Sequence, residues 1–152
     1  MAASAWQLYN EAKKYIGNGS ITLGAGVFKM VLAKAASNAS TFTISTYAEL
    51  TNEVATAAGY VAGGRNLVPA TAQWVTGASA KQMKFTMSSI GLAFTASGAS
   101  IVDIKYAVLR NSTGAGAGKL LCWCQLSSAN FTVASPNTLT VLPAATGIFT
   151  LT

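Results

Sequence analysis

The sequence predicts a mainly β fold, an antiparallel sandwich or barrel, preceded by one short helix. Short segments in which apolar and polar residues alternate recur along the chain, and stretches rich in Gly, Ser and Asn separate them. A stripe of apolar residues with helical spacing occurs only near the N-terminus. The 152 residues fit one domain, and such a chain can bury about 70% of its unfolded surface.

The helix is predicted from Ser4 to Ile16. Ser4 is a suitable N-cap, and Gln7 three residues later completes a capping box. Gly17 can supply the turn that ends the helix. A helix of this length is marginal alone in water, so we expect it to pack on its own domain or on another subunit.

Four residues of this helix are candidate partner contacts. Trp6 and Tyr9 lie off the apolar stripe, so they are either edge residues of the core or contacts for a neighbouring chain. Lys13 and Lys14 lie near the carboxyl end of the predicted helix, where its dipole favours cations. These four side chains are the expected contact set.

The rest of the chain is predicted to be β. The predicted strands cover residues 27–32, 41–45, 60–68, 82–88, 100–110, 119–126, 138–142 and 148–152. A turn of helix is predicted over 46–54, and a bend or bulge at Gly63 and Gly64. In the segment 100–110, Val102 and Ile104 are expected on one face. The segment 119–126 is apolar on both faces, as in a central strand.

The composition points to a protein that works through its surfaces. The chain has no His, only four Asp and Glu, and 51% hydrophobic residues. Acid–base catalysis, nucleophile activation and metal binding depend mainly on residues that are scarce here, so we expect no catalytic, metal or cofactor site. No apolar run of 18 or more residues exists to span a membrane. The apolar excess therefore favours a large interface with other protein chains.

The net charge of +6 reflects missing acids rather than abundant bases. The basic residues are scattered, and Lys13–Lys14 is their only adjacent pair. A nucleic-acid-binding protein should show a basic patch interleaved with aromatic residues, so direct binding of nucleic acid is not expected. An anionic protein partner fits the charge better.

Three local motifs have structural interpretations. Cys122 and Cys124 alternate in a predicted strand and are expected to be buried thiols. The segment 114–119 lacks the spacing of a phosphate-binding loop and is expected to be a hairpin loop. Glu49 and Glu53 are four residues apart, but nothing around them predicts the cleft that an acid–base pair would need.

Several segments in a fixed order carry a resemblance to a known family. They are residues 9–14, 17–21, 27–32, 51–54, 59–64, 106–109 and 147–152. Together they resemble small virion proteins of tailed phages, of the capsid decoration or cement type. One departure concerns Thr22 to Gly26, where such proteins tend to carry several Asp and this chain has none. A cation-binding role is therefore not carried over.

The resemblance implies a jelly-roll-like β-sandwich over residues 19–152, with a helical arm over residues 1–18. It implies a structural protein made in the host cytoplasm and bound to the virion surface, with the major capsid protein as its partner and a homo-oligomeric state. The alternative is a tail or fibre module that binds a host receptor or glycan. Trp74 and Trp123 are the residues that could stack on sugars in that case.

Overall fold

The computed structural model describes residues 3–68, 73–77, 79 and 81–151. In these residues the chain is mainly β with antiparallel pairings, so the predicted antiparallel sandwich with one short helix is confirmed. The helix α1 spans Asn10–Gly17. The strands are β1 (Gln7–Leu8), β2 (Phe28–Lys34), β3 (Arg65–Asn66), β4 (Trp74–Thr76), β5 (Met83–Phe85), β6 (Leu92–Thr95), β7 (Ile101–Asn111), β8 (Leu120–Gln125), β9 (Phe131–Val133), β10 (Thr138–Val141) and β11 (Phe149–Leu151).

The larger sheet has the strand order β1-β8-β7-β2-β3, and β9 also pairs with β7. The smaller sheets are the pair β6–β10 and the three strands β11-β5-β4. Phe28 of β2 meets Phe85 of β5 edge-on, with ring centroids 4.9 Å apart. Both rings are fully buried, so this contact joins the larger sheet to the three-stranded one across the core.

The centre of the larger sheet is apolar on both faces. Leu120, Leu121 and Cys122 of β8 have no exposed surface, which agrees with the prediction of a central strand over 119–126 that is apolar on both faces. The inner face contributes to the core between the sheets. On the outer face, the Tyr9 hydroxyl donates to the carbonyl of Ala39 over 2.7 Å, inside the same buried cluster.

The N-terminal helix is shorter than predicted. It begins at Asn10 rather than Ser4, because the preceding residues pair with β8. The Ser4 N–H donates to the carbonyl of Gln125, and the Gln125 N–H donates to the Ser4 hydroxyl. These bonds hold Ser4 beside the end of β8, so it does not cap a helix. The segment predicted as a separate arm is thus an edge strand and a helix packed on the common core.

The alternation predicted for 100–110 breaks at Asp103. This residue has a φ of 61° and forms a bulge in the pairing of β7 with β9. A bulge inserts an extra residue, so side chains before it change face. Val102 is consequently exposed while Ile104 is buried, against the expectation that both share one face.

Other differences are local. Residues 41–45 form turns instead of the predicted strand, although Ile44 is buried. The predicted helical turn over 46–54 is a single 3₁₀ turn at Tyr47–Glu49. The strands β4, β6 and β9 lie outside the predicted segments. No helix in the described ranges is long and apolar enough to cross a membrane.

Candidate interaction surface

The four acidic side chains all interact within the chain. Glu11 forms an ion pair with Lys14 at 3.3 Å. Glu49 accepts hydrogen bonds from the backbone N–H groups of Ser45 and Thr46, at 2.6 and 2.8 Å, and these bonds lower its pKa. Asp103 accepts from the Asn130 side chain. In the part of the chain that the structure describes, no three His, Cys, Asp or Glu residues form a group that could hold a metal ion.

Glu53 is the centre of a polar network that joins several loop residues. Its carboxylate accepts hydrogen bonds from the Tyr60 hydroxyl at 2.7 Å, from the Gly63 N–H at 2.7 Å and from the Tyr47 hydroxyl. The next residue, Val54, lies along the edge of β2, because its N–H donates to the carbonyl of Leu32 over 3.0 Å. We call the Glu53 carboxylate and these donors the Glu53 network.

The network is tied to β7 through Arg110. Its guanidinium donates twice to the Gly63 carbonyl, at 3.1 and 2.8 Å, and lies 4.3 Å from the centre of the Tyr47 ring. Burial, and then the hydrogen bond to Glu53, raise the pKa of Tyr47 to about 12. The same two causes raise the pKa of Tyr60. Both phenols therefore act as hydrogen-bond donors at neutral pH.

This geometry fits a structural role for Glu53. Tyr60 is buried, and its hydroxyl also accepts from the Leu32 N–H at 3.1 Å. Glu49 has its own donors and shares none of them with Glu53, so the two carboxylates do not form one site. The sequence predicts no catalytic role for Glu53, but it also does not predict the Glu53 network. The donors lie between residues 47 and 63, and Arg110, which holds Gly63, is still farther along the chain.

The other chemical motifs are also structural. Cys122 and Cys124 are free and buried as expected, and burial raises the pKa of both thiols, that of Cys124 to about 12. The segment 114–119 forms a hairpin connection from β7 to β8, as predicted. Lys119 at its end donates to the carbonyl of Ala115 over 2.9 Å and lies over the ring of Tyr15.

The four predicted contact residues are placed very differently. Tyr9 is fully buried and belongs to the core of its own chain, so it offers no surface to a partner in this structure. Lys13 and Lys14 are exposed on α1, where Lys14 pairs with Glu11. Trp6 is half-buried and lines a groove beside the β1 edge. The structure thus keeps three of the four residues accessible and does not bring them together around one site.

Two grooves meet at Leu142 and form what we call the Leu142 surface. The first, of about 540 Å³, lies between residues 3–6 and residues 141–150. The second, of about 330 Å³, is lined by Phe131 and Leu139 among others, and shares Ala3, Val141 and Leu142 with the first. Among the residues that the structure describes, none that lines either groove is charged. Leu142 itself is 58% exposed.

The strand pair β6–β10 explains this exposure. Val141 pairs with Leu92 and points into the core, so the side chain of the next residue, Leu142, points outward. A Cβ atom added to Gly91 would lie 2.8 Å from a methyl group of Leu142, so the two are in close contact. Ile90, next to Gly91, is 78% exposed and extends the apolar surface.

The two tryptophans considered for sugar stacking are engaged in ring contacts. Trp74 packs against Phe149, with centroids 6.5 Å apart. Trp123 meets Phe42 at 5.7 Å and Tyr106 at 6.0 Å, both edge-to-face. Both tryptophans are half-buried, and Trp74 also lines a surface groove of about 320 Å³.

The Leu142 surface shares two features with many protein interfaces, an exposed apolar side chain and a lining without charge. Contiguous exposed apolar patches mark interaction sites, and the centres of interfaces are depleted in charge. Comparison with family models, with curated proteins and with solved structures finds no match for this chain.

Proposed function

We propose that the protein is a structural virion protein of a tailed phage, a capsid decoration (cement) protein that binds across capsid subunits and stabilises the shell. The observation that carries the proposal is the Leu142 surface, an uncharged pair of grooves with an exposed leucine where they meet. The resemblance to small virion proteins supplies the identity of the partner, the major capsid protein.

The mechanism is stabilisation by binding. A protein that binds the assembled lattice but not free subunits shifts the equilibrium toward the assembled shell. Many copies on one shell add their contributions, and linked copies gain avidity. This role requires complementary apolar surfaces, which the residues around Leu142 provide.

The positive charge supports the same role. The acidic side chains have partners within the chain, but among the described residues only Glu11 is paired with a cation. Lys14 is therefore the one lysine or arginine in an ion pair in this part of the chain. The other basic side chains give the surface a positive field, which speeds encounter with an anionic partner. The apolar grooves would then provide most of the affinity.

The test is the location and copy number of the chain in purified virions, measured by quantitative mass spectrometry and by antibody labelling. The proposal expects a copy number comparable with that of the major capsid protein and labelling on the head. A few copies labelled at the tail would contradict it and support the receptor-binding alternative.

A binding assay tests the surface. Purified protein is added to heads that lack it, and bound protein is measured after sedimentation. The variant Leu142→Glu should lower binding at least about tenfold, because it places a charge in an apolar contact. The matched control Val102→Glu changes an exposed valine outside both grooves and should bind normally. Equal binding of the two variants to heads would exclude the Leu142 surface as the capsid-binding site.

A further inference from the structure

A third groove, of about 380 Å³, separates β3 from β6. Lys29, Arg65 and Asn66 line it on the side of the larger sheet, and Ala93 and Thr95 line it on the side of β6. None of its lining residues lines either groove of the Leu142 surface. We call it the β3–β6 groove.

Both strands beside this groove are edge strands. In the described part of the chain, β3 pairs only with β2, and β6 pairs only with β10. Each strand therefore has one edge without a strand partner, although the loop at Ala58 and Gly59 lies against the β6 edge beside the Thr95 carbonyl, where the Ser97 N–H donates to Ala58 over 3.0 Å. Such an edge carries a row of backbone N–H and C=O groups that can pair with another chain.

The hydrogen-bond register shows which groups face the groove. The Leu67 N–H donates to Phe28 over 2.8 Å, so the backbone groups of the preceding residue, Asn66, point away from β2. The Ala96 N–H donates to Asn137 over 2.9 Å. By the same alternation, the backbone groups of Ala93 and Thr95 point away from β10.

One contact already crosses the groove. The guanidinium of Arg65 donates to the carbonyl of Ala93, which shows that this backbone group is accessible from the opposite wall. Arg65 is exposed, so its side chain can also reach a ligand in the groove.

The charge of the groove is positive. Lys29 and Arg65 line it, no Asp or Glu does, and neither cation forms an ion pair within the described residues. A ligand that is complementary to the groove therefore carries negative charge and offers backbone hydrogen bonds.

We propose that the β3–β6 groove binds an extended acidic peptide segment, which adds as a strand beside β6 and places carboxylates on Lys29 and Arg65. Strand addition gives affinity through main-chain hydrogen bonds, and the cations select acidic side chains. The proposal does not depend on the role in capsid decoration. Nucleic acid fits less well, because Tyr60 and Phe94 are buried and give bases no stacking platform.

The binding test uses the full chain and a fluorescein-labelled eight-residue peptide of alternating Glu and Thr, followed by fluorescence anisotropy. The Glu peptide should bind saturably and at least about tenfold more tightly than the same peptide with Gln, since the charged hydrogen bonds are lost. Arg65→Gln and Lys29→Gln should each weaken binding severalfold. Lys81→Gln, an exposed control outside the groove, should not.

A second measurement tests the strand addition. The peptide should slow hydrogen exchange at the amides of Asn66 and Thr95, followed by NMR of the ¹⁵N-labelled protein. Thr95→Pro removes the N–H that faces the groove and keeps the backbone ladder to β10, although it loses the hydroxyl contact with Thr138, so it should weaken binding while the protein stays folded. Three results would each overturn the proposal. The first is equal affinity for the Glu and Gln peptides, and the second is unchanged affinity in Arg65→Gln and Lys29→Gln. The third is displacement of the bound Glu peptide by a single-stranded thymidine oligonucleotide at a lower concentration than unlabelled Glu peptide requires.

Discussion

Around Glu53, three donors converge on one carboxylate, whereas the two grooves that meet at Leu142 contain no charged side chain. The chain has few acids and uses this one to hold a loop against the edge of β2. It leaves a leucine exposed at the other region. In these two regions, the polar side chains stabilise the fold, whereas the apolar side chains both pack in the core and form an exposed surface. Substitutions in the two regions should therefore have opposite consequences for stability and for binding.

The largest expected effect on stability is at Gly64, next to the Glu53 network. This residue has a φ of 81°, and a Cβ atom there would lie 2.3 Å from the carbonyl oxygen of Met30. Gly64→Ala should lower the free energy of unfolding by about 4 kcal/mol or more, since both strain and a backbone clash result. Urea denaturation measures the loss.

Gly98→Ala is the matched control for Gly64→Ala. Gly98 has a similar φ of 74°, but nothing lies within 4 Å of the added Cβ. The control should lose only about 1–2 kcal/mol, the cost of the left-handed conformation alone. Equal losses at the two positions would show that the close approach to Met30 does not matter.

The next largest effect is expected at Glu53. Glu53→Ala leaves two tyrosine hydroxyls and the Gly63 N–H without their acceptor, which should cost about 3 kcal/mol. Glu49→Ala is the comparison, because Glu49 is exposed and its donors can bond to water instead. If the two substitutions cost the same, the Glu53 network is not a distinct source of stability.

Alkaline pH should weaken the same network. The pKa of Tyr47 is raised from 10.0 to about 12, so the folded state holds the phenol proton more tightly than the unfolded state. This contribution is fully present below pH 10 and is lost as the pH rises toward about 12. Tyr47→Phe removes it, and the stability of that variant should fall less steeply between pH 10 and about 12 in urea titrations. An unchanged slope would contradict the assignment.

The smallest effect on stability is expected on the Leu142 surface. Leu142→Glu changes an exposed side chain and should alter the free energy of unfolding by no more than about 0.5 kcal/mol, as should the control Val102→Glu. The same Leu142 variant should nevertheless lose binding to heads. A large loss of stability in Leu142→Glu would mean that Leu142 belongs to the fold.

Periodicity predicted the parts of the fold in which local pattern and burial agree. The strand β8 is apolar from Leu120 to Cys124 because both of its faces are largely buried, and β5 lies within a segment of clean alternation. The pattern failed where long-range pairing overrides local preference. Ser4 has the character of a helix cap, yet its partner is Gln125, far along the chain. The positive φ of Asp103 interrupts an otherwise regular alternation and exposes Val102.

The candidate sites were less predictable than the fold. An excess of apolar residues indicates that some must be exposed, but their positions depend on the pairing of β10 with β6, which places Leu142 outward. Tyr9 and Trp6 look equivalent in the sequence, yet one is buried and the other lines a groove. Glu53 finds donors from residue 47 to residue 63, an arrangement that no periodic signal encodes.

The central claim is that the Leu142 surface binds the capsid, and a cryo-electron microscopy map of the virion tests it most directly. We expect density for the sandwich on the outside of the head, bridging neighbouring capsid subunits, with Leu142 and Trp6 in contact with them. A head without this density, or a bound sandwich whose Leu142 surface faces solvent, would contradict the claim.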